Sequence, residues 1–391
     1  MKYEIRIRED RKKAIFDENG NMITKEWYDW ISFEGLVKGE SNLYTVEKDG
    51  KYAIFDVNGN QITEWLDDIY SSYLIKGQSK YYIAKKDGKQ AIFDKDGNQI
   101  TKWYDYVYSY GLVEGKSPYY IVGKGRKQAI LDINGNMITP EWFSKISPEG
   151  LVSGESKYYI AKKKGKYAIF DINGNMITKE WYDKIEPWGL VMGRKNYYIA
   201  KKNEEYAVFN EKGNQVSPEW FSHINLEGLF YGWSDYYIAW KNGKYAIFHK
   251  DGKMITPEWI NEGAFFVGLV EGQSDYFLIY KQNKYAIFDK DGNQISDWFD
   301  KIWEYGLING ECDYYIACNN NTCAVYYKDG RKVSEDFSRE DIKRVNKITF
   351  NEDLGIVEIN TPDSKTITID FNPVYPRKKE EFLDYTKLLN I

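Results

Sequence analysis

The feature that most constrains this chain is a unit of about 39 residues that recurs from near its start to about residue 337. The alanine of the motif A-I-F-D and its variants falls at Ala14, Ala53, Ala91, Ala129, Ala168, Ala207, Ala246, Ala286 and Ala324. The intervals are 39, 38, 38, 39, 39, 39, 40 and 38 residues. A chain of 391 residues would otherwise suggest two or three domains. Nine copies at so constant a spacing specify an array instead, in which each unit covers its apolar faces with its neighbours.

One unit can be read in detail. Tyr81-Tyr82-Ile83-Ala84-Lys85-Lys86 is aromatic and β-branched, and Asp87-Gly88 separates it from a second such run. Asp-Gly between two apolar runs is a two-residue hairpin signal, because a type I′ turn needs positive φ at both positions. The turn sets the register: Lys85 opposite Gln90, Ala84 opposite Ala91, Ile83 opposite Ile92 and Tyr82 opposite Phe93. One face then carries Tyr82, Ala84, Ala91 and Phe93, and the other Tyr81, Ile83 and Ile92. Both faces are apolar, so both must be covered. A second turn, as in Asp17-Glu18-Asn19-Gly20-Asn21, leads to a third strand such as Ile62–Trp65. The piece Gly111-Leu112-Val113-Glu114-Gly115 is expected to form a short fourth.

Four short strands per unit make a β-meander, suited to a propeller blade or to one rung of an open superhelix. The first three strands occur nine times and the fourth eight, and residues 338–391 do not repeat. They read as strands at 347–350, 355–359 and 366–371 followed by a helix over 378–390. A non-repeating cap suits an open array. The expected fold is therefore all-β: a tandem array of about nine meander repeats over 1–337, an open superhelix in preference to a closed eight- or nine-bladed propeller, with a C-terminal cap over 338–391.

The residues Lys51-Tyr52-Ala53-Ile54-Phe55-Asp56, Gly59, Ile62, Tyr182-Asp183 and Gly189-Leu190-Val191 resemble the unit of the bacterial WG (KWG) repeat family. The resemblance covers 1 to about 337, with Tyr-Ala or Gln-Ala where the family has Trp-Gly. It implies an all-β repeat protein without assigned catalytic residues.

Composition narrows the function. Lys and Arg total 54 against 59 Asp and Glu, a net charge of −5. That balance argues against a general nucleic-acid binder. No run approaches the ~18 apolar residues of a membrane span, and the opening residues hold no apolar signal core, so a soluble, cytoplasmic protein is expected. Only 2 histidines are present, His223 and His249, which leaves histidine-based catalysis little room. The Asp-x-Asn-Gly-Asn turn lacks the spacing of an EF-hand, whose glycine stands at position 6 and bidentate Glu at 12. It reads as a tight turn. No phosphate loop, zinc-spaced set or nucleophile elbow occurs, and no cofactor or metal is expected. The recurring Glu-Trp (Glu26, Glu141, Glu180, Glu219, Glu258) is periodic, whereas an active site should break the period.

Trp27, Trp65, Trp103, Trp142, Trp181, Trp220, Trp259 and Trp298 recur in register and read as inter-unit core. In the tandem Tyr pairs the first ring stands near a strand start, so Tyr81, Tyr119, Tyr158, Tyr197, Tyr236, Tyr276 and Tyr314 are candidate binding residues. The non-periodic Trp188, Trp233, Trp240 and Trp303 join them. With Trp30 these mark diverged units, and because four of the five lie late in the chain a partner site is expected there. Cys318 and Cys323 should face each other across a hairpin, and a cytosolic setting implies reduced thiols. These features point to a non-enzymatic scaffold that binds another protein. A glycan-binding module using the Tyr rows is the alternative, and a carboxylate hydrolase the remote one.

Overall fold

The computed structural model describes residues 2–261, 264–265, 267–342, 345–360, 362 and 366–374. The helix expected over 378–390 lies outside them. The described residues form ten small antiparallel sheets, and helix is confined to single turns such as Ser72–Ile75 and Val267–Glu271. None of the ten closes into a barrel. Among the described residues no helix is long and apolar enough to cross a membrane.

The hairpins have the expected register. Lys85 faces Gln90, Ala84 faces Ala91, Ile83 faces Ile92 and Tyr82 faces Phe93. Asp87 and Gly88 stand at φ 50° and 74°, the positive pair a type I′ turn requires. The second turn is held by its own aspartate. Asp171 Oδ1 accepts the amides of Asn173 and Asn175 at 2.9 and 2.8 Å, and its Oδ2 accepts Asn175 Nδ2 at 3.0 Å. The carboxylate is thus saturated by the turn.

Two expectations are corrected. The third strand is no continuous strand but, in most repeats, two isolated bridges such as Phe55–Gln61 and Tyr52–Leu66. Between them buried Thr63 turns inward, its Oγ1 accepting the Ile54 amide at 3.0 Å. The fourth strand is not Gly-Leu-Val either. Gly111 and Gly115 take φ of 79° and 74° and wrap that segment into turns that bury Leu112 and Val113. The strand lies just before it, at Tyr106–Val107, and pairs forward with the hairpin of the next unit, Tyr119–Lys124 and Lys127–Asp132. Each sheet therefore straddles a unit boundary, which couples neighbours through hydrogen bonds as well as packing.

Successive sheets stack face on face. Ile121, Ile130 and Phe143, the last bridged to Gln128 of the same hairpin, meet Ile146, Tyr159 and Phe170 of the next sheet. One repeat later, Ile160, Ile169 and Tyr182 meet Ile185, Tyr198 and Phe209 in the same way. Full burial of each such side chain contributes about 1.5–3 kcal/mol. The periodic Trp residues seal these layers: Trp181 lies 5.9 Å from Phe170 in its own unit and 6.2 Å from Phe143 in the one before. The approach is close. A Cβ on Gly111 would fall 2.7 Å from the Val152 carbonyl, and Ser117 Oγ donates to that same oxygen at 2.6 Å.

The chain separates into two compact units, Met1–Trp220 and Phe221–Ile391, with the division inside a repeat. Both are built from the same stacked sheets. In the second, Lys347–Asn351, Ile356–Asn360 and Thr366–Asp370 form a sheet whose Ile348, Val357 and Ile359 pack on Ile316 and Val325 of the last hairpin. The three strands of this sheet fall close to where the sequence places them, at 347–350, 355–359 and 366–371. The thiol expectation is corrected. Cys318 and Cys323 are register partners, both buried, and form a disulfide. Their cross-strand placement brings the sulfurs together, whereas the expectation of thiols rested on the compartment alone.

Candidate functional site

Reading the register sheet by sheet separates constant positions from divergent ones. The apolar pairs recur almost unchanged, as Tyr82–Phe93, Tyr159–Phe170 and Tyr198–Phe209, or Ala84–Ala91, Ala161–Ala168 and Ala200–Ala207. One cross-strand row, a single pair in from the hairpin turn and half-exposed in most sheets, does not recur. In the first unit it reads Trp30–Glu47–Tyr52, Asp68–Lys85–Gln90 and Tyr106–Gly123–Gln128. It continues as Lys145–Lys162–Tyr167 and Lys184–Lys201–Tyr206. In these last two sheets Lys162 covers the Tyr167 ring at 4.8 Å and Lys201 covers Tyr206 at 5.4 Å. The row is thus cationic and capped in these two sheets, whereas in the three before them it is mixed, with Trp30, Tyr52 and Tyr106 beside Asp68, Lys85 and Gln90. In the second unit the row holds His223–Trp240–Tyr245 and Tyr280–Tyr285.

The aromatic stretch extends along the outer strand pieces of the first three repeats. Trp30 is 40% exposed, Phe33 63%, Tyr70 50%, Tyr108 37% and Tyr110 42%. Between them runs a groove of about 370 Å³ lined by Trp30, Tyr52, Tyr70, Ser71, Tyr73 and Ser109, among others. Its floor is tied across repeats by the buried Thr45 Oγ1 and Ser71 Oγ, 2.9 Å apart. Tyr73 donates to Glu114 Oε1 at 3.1 Å, and Lys76 pairs with Glu34 at 2.8 Å. That ion pair, with Lys76 as hydrogen-bond donor, holds the Glu34 carboxyl below its usual range. Desolvation, and then Asp68 nearby, push the Tyr70 phenol up, so at neutral pH it is a hydrogen-bond donor. Gln128 Nε2 donates to Tyr108 Oη at 3.0 Å and fixes that ring beside Tyr106, whose centroid is 5.6 Å away. The arrangement is a rigid aromatic surface with hydroxyl donors and no free strong nucleophile.

The anticipated residues are placed differently. Tyr158 and Tyr314 are buried, so neither presents a ring to a ligand. Tyr314 instead secures the cap: its ring lies 4.7 Å from Phe371 and its oxygen accepts the Val374 amide at 2.7 Å. Tyr81, Tyr119, Tyr197, Tyr236 and Tyr276 are half-buried, and most pack between sheets. Trp188 lies half-buried under Arg194 at 4.8 Å. Trp240 stands between His223 and Tyr245, at 5.1 and 6.3 Å, and Trp303 packs at the cap. Of the anticipated set only Trp233 is well exposed, at 51%. An open aromatic groove lies in the early repeats. In the sequence Trp30 stands out only as a diverged tryptophan, and for Tyr70 and Tyr108 the one signal is that Ser147, Glu186 and Asn225 hold their place in the next three copies.

Recurring carboxylates are structural. Glu26 pairs with Lys48, Glu64 with Lys86, and Glu141, Glu180 and Glu258 with Lys163, Lys202 and Lys281. No group of three or more His, Cys, Asp and Glu that could hold a metal occurs among the described residues.

Neither known protein families nor curated proteins give a match to this chain. Solved structures do. A eukaryotic initiation factor is 12% identical with a TM-score of 0.30, over 86% of this chain and 97% of that one. Hsv2p of Kluyveromyces lactis is 11% identical with a TM-score of 0.27, over 66% and 92%. BamB of Moraxella catarrhalis is 11% identical with a TM-score of 0.24, over 86% and 91%. At these TM-scores the likenesses carry no argument.

Proposed function

We propose that the chain is a non-enzymatic repeat scaffold that binds another protein through the aromatic groove of its first three repeats. The observation that carries this reading is the contrast within each sheet. Packing pairs stay constant while one cross-strand row diverges, and in the first three repeats the outer strand pieces beside that row present exposed Trp30, Phe33, Tyr70, Tyr108 and Tyr110. Selection for stacking alone has no use for such a difference. Exposed aromatic rings give large contact area at low conformational cost, and phenols add donors, the composition typical of protein interfaces. An extended protein segment suits a groove that crosses successive outer strands. The recurring Glu and Asp are held in ion pairs and turns, which supports a binding role over a hydrolytic one. The likeness to WG repeats belongs to the same proposal and rests on the motifs quoted above.

The test compares the intact chain with a Tyr70→Ser, Tyr108→Ser variant matched to it in melting temperature, both used to capture protein from the native lysate. A protein retained stoichiometrically by the first and lost with the second supports the reading. Equal retention by both, or carbohydrate recovered without protein, overturns it.

A further inference from the structure

We propose that the cleft between Trp259 and Trp298, in the second unit, binds a neutral saccharide. This goes beyond the protein-binding reading and does not rest on it.

Two recurring devices close the space between successive tryptophans elsewhere. The first is an aromatic ring that follows one Trp and packs on the next: Tyr28 lies 6.3 Å from Trp65, Phe143 6.2 Å from Trp181, Tyr182 6.3 Å from Trp220 and Phe221 6.0 Å from Trp259. The second is the aspartate after that ring, which clasps a lysine and the amide at the next hairpin turn. Asp67 takes Lys51 and the Asp87 amide, the latter at 2.8 Å. Asp183 takes Lys166 at 2.7 Å and the Asn203 amide at 2.9 Å. Repeats that lack one device keep the other. Leu66 replaces the ring but Asp67 follows it, and Ser144 and Ser222 replace the aspartate but follow Phe143 and Phe221. Ile260-Asn261 is the pair that lacks both, since the side chain is aliphatic and the amide has no charge for Lys244.

A cavity of about 500 Å³ opens there, within the ordinary size range of small-ligand pockets. Ile260, Ile279 and Phe288 form its floor, and Trp259 and Trp298 stand half-exposed as its walls. The rim carries the side-chain amides of Asn261 and Gln294 and the Glu258–Lys281 ion pair. A pyranose has the matching duality: C–H faces that settle on indole rings, and vicinal hydroxyls that pair with planar amide and carboxylate groups. Glu258 and Lys281 neutralise each other, and exposed Lys244 beside Asn261 adds a hydrogen-bond donor, so the rim offers both donors and acceptors to the hydroxyls of an uncharged sugar.

The experiment titrates the full chain separately with cellohexaose, maltohexaose and N-acetylchitohexaose, following tryptophan fluorescence and heat. Saturable binding of at least one is expected. The double variant Ile260→Phe, Asn261→Asp restores both closing devices; it should lower affinity by about tenfold or more with melting temperature kept or raised. Trp298→Ala, with its circular dichroism unchanged, should do likewise. Tyr70→Ser should leave the affinity as it is, which separates this site from the early groove. No binding of any of the three at about 10 mM, or equal affinity in the double variant, overturns the proposal.

Discussion

The end of the Tyr106 ring occupies the space a side chain on Gly123 would need. The two residues face each other in register, and a Cβ on Gly123 would fall 1.9 Å from Cζ of Tyr106 and 2.2 Å from Cε1 and Cε2. Lys85 and Lys162 hold the equivalent position in the sheets on either side. The glycine is thus paired with the aromatic groove: it lets Tyr106 lie down on the sheet and turn its edge to Tyr108. Gly123→Ala should therefore displace Tyr106 and cost about 1–3 kcal/mol, the usual penalty of overpacking. In a Tyr106→Ala background the same substitution should cost much less. Urea unfolding of the four chains measures the coupling; strictly additive effects would mean the ring does not rest there.

Much of this could be read beforehand, for a physical reason. Asp87-Gly88 fixes the hairpin register because few residues tolerate two positive φ values in a row, and register then assigns every side chain to a face. The fourth strand could not be read. Tyr106–Val107 is two residues long, has no periodicity of its own, and is defined by pairing with a hairpin more than ten residues ahead. The groove was hidden for the same cause. Tyr70 and Tyr108 are exposed only because their short strands pair forward. In a chain that is 17% aromatic, nothing local separates them from buried rings such as Tyr82 and Tyr120.

The aspartate clasps predict acid sensitivity. Asp29 is held below its usual range first by the Asp49 amide and then by Lys12, and Asp67 first by Lys51 and then by the Asp87 amide. Lys166 does the same for Asp183, and the Asn320 amide for Asp300. A folded-state pKa below the unfolded value of about 3.9 gives stability that is present above that pH. It is lost as pH falls through the folded value. Melting temperature should be flat near neutrality and fall below about pH 4. Asp67→Asn together with Asp183→Asn should lower the neutral plateau and shallow the acid decline. A parallel profile in that variant would assign the decline to other groups.

The Cys318–Cys323 disulfide closes a short loop across the last hairpin, whose Cys318 and Cys323 belong to the same cluster as the cap residues Ile348 and Val357. Cross-linking a loop this short should stabilise that hairpin by about 2 kcal/mol through the unfolded state. Reduction with a dithiol, or the double change Cys318→Ala, Cys323→Ala, should lower the protection of the Ile348 and Val357 amides in hydrogen exchange. Amides in the first unit should be unaffected. Protection lost evenly along the chain would show that the cap has no separate dependence on the bridge. Cys312 provides an internal contrast: burial pushes its thiol up to about 12, so it should resist alkylation in the folded protein.

Among the described residues, six of the hairpins also carry a tyrosine hydroxyl that packing leaves without a partner. The Tyr159 ring stacks on Phe170 at 5.6 Å, fully buried, and its hydroxyl has no hydrogen-bond partner. The hydroxyls of Tyr44, Tyr120, Tyr198, Tyr237 and Tyr315 are in the same state. Desolvation, and then the nearby Asp171, push the Tyr159 phenol up, so it stays neutral, yet a neutral donor buried without a partner still costs free energy. The eighth repeat shows that the hydroxyl is dispensable to packing: Phe277 holds the same place and stacks on Phe288 at 5.7 Å. Tyr159→Phe should therefore stabilise the chain by about 1 kcal/mol, and Phe277→Tyr should destabilise it by a similar amount. Thermal and urea unfolding read both. A loss of stability in Tyr159→Phe would mean that this hydroxyl is bonded in solution, and that the column of tyrosines down the stack is a polar network rather than a series of tolerated costs.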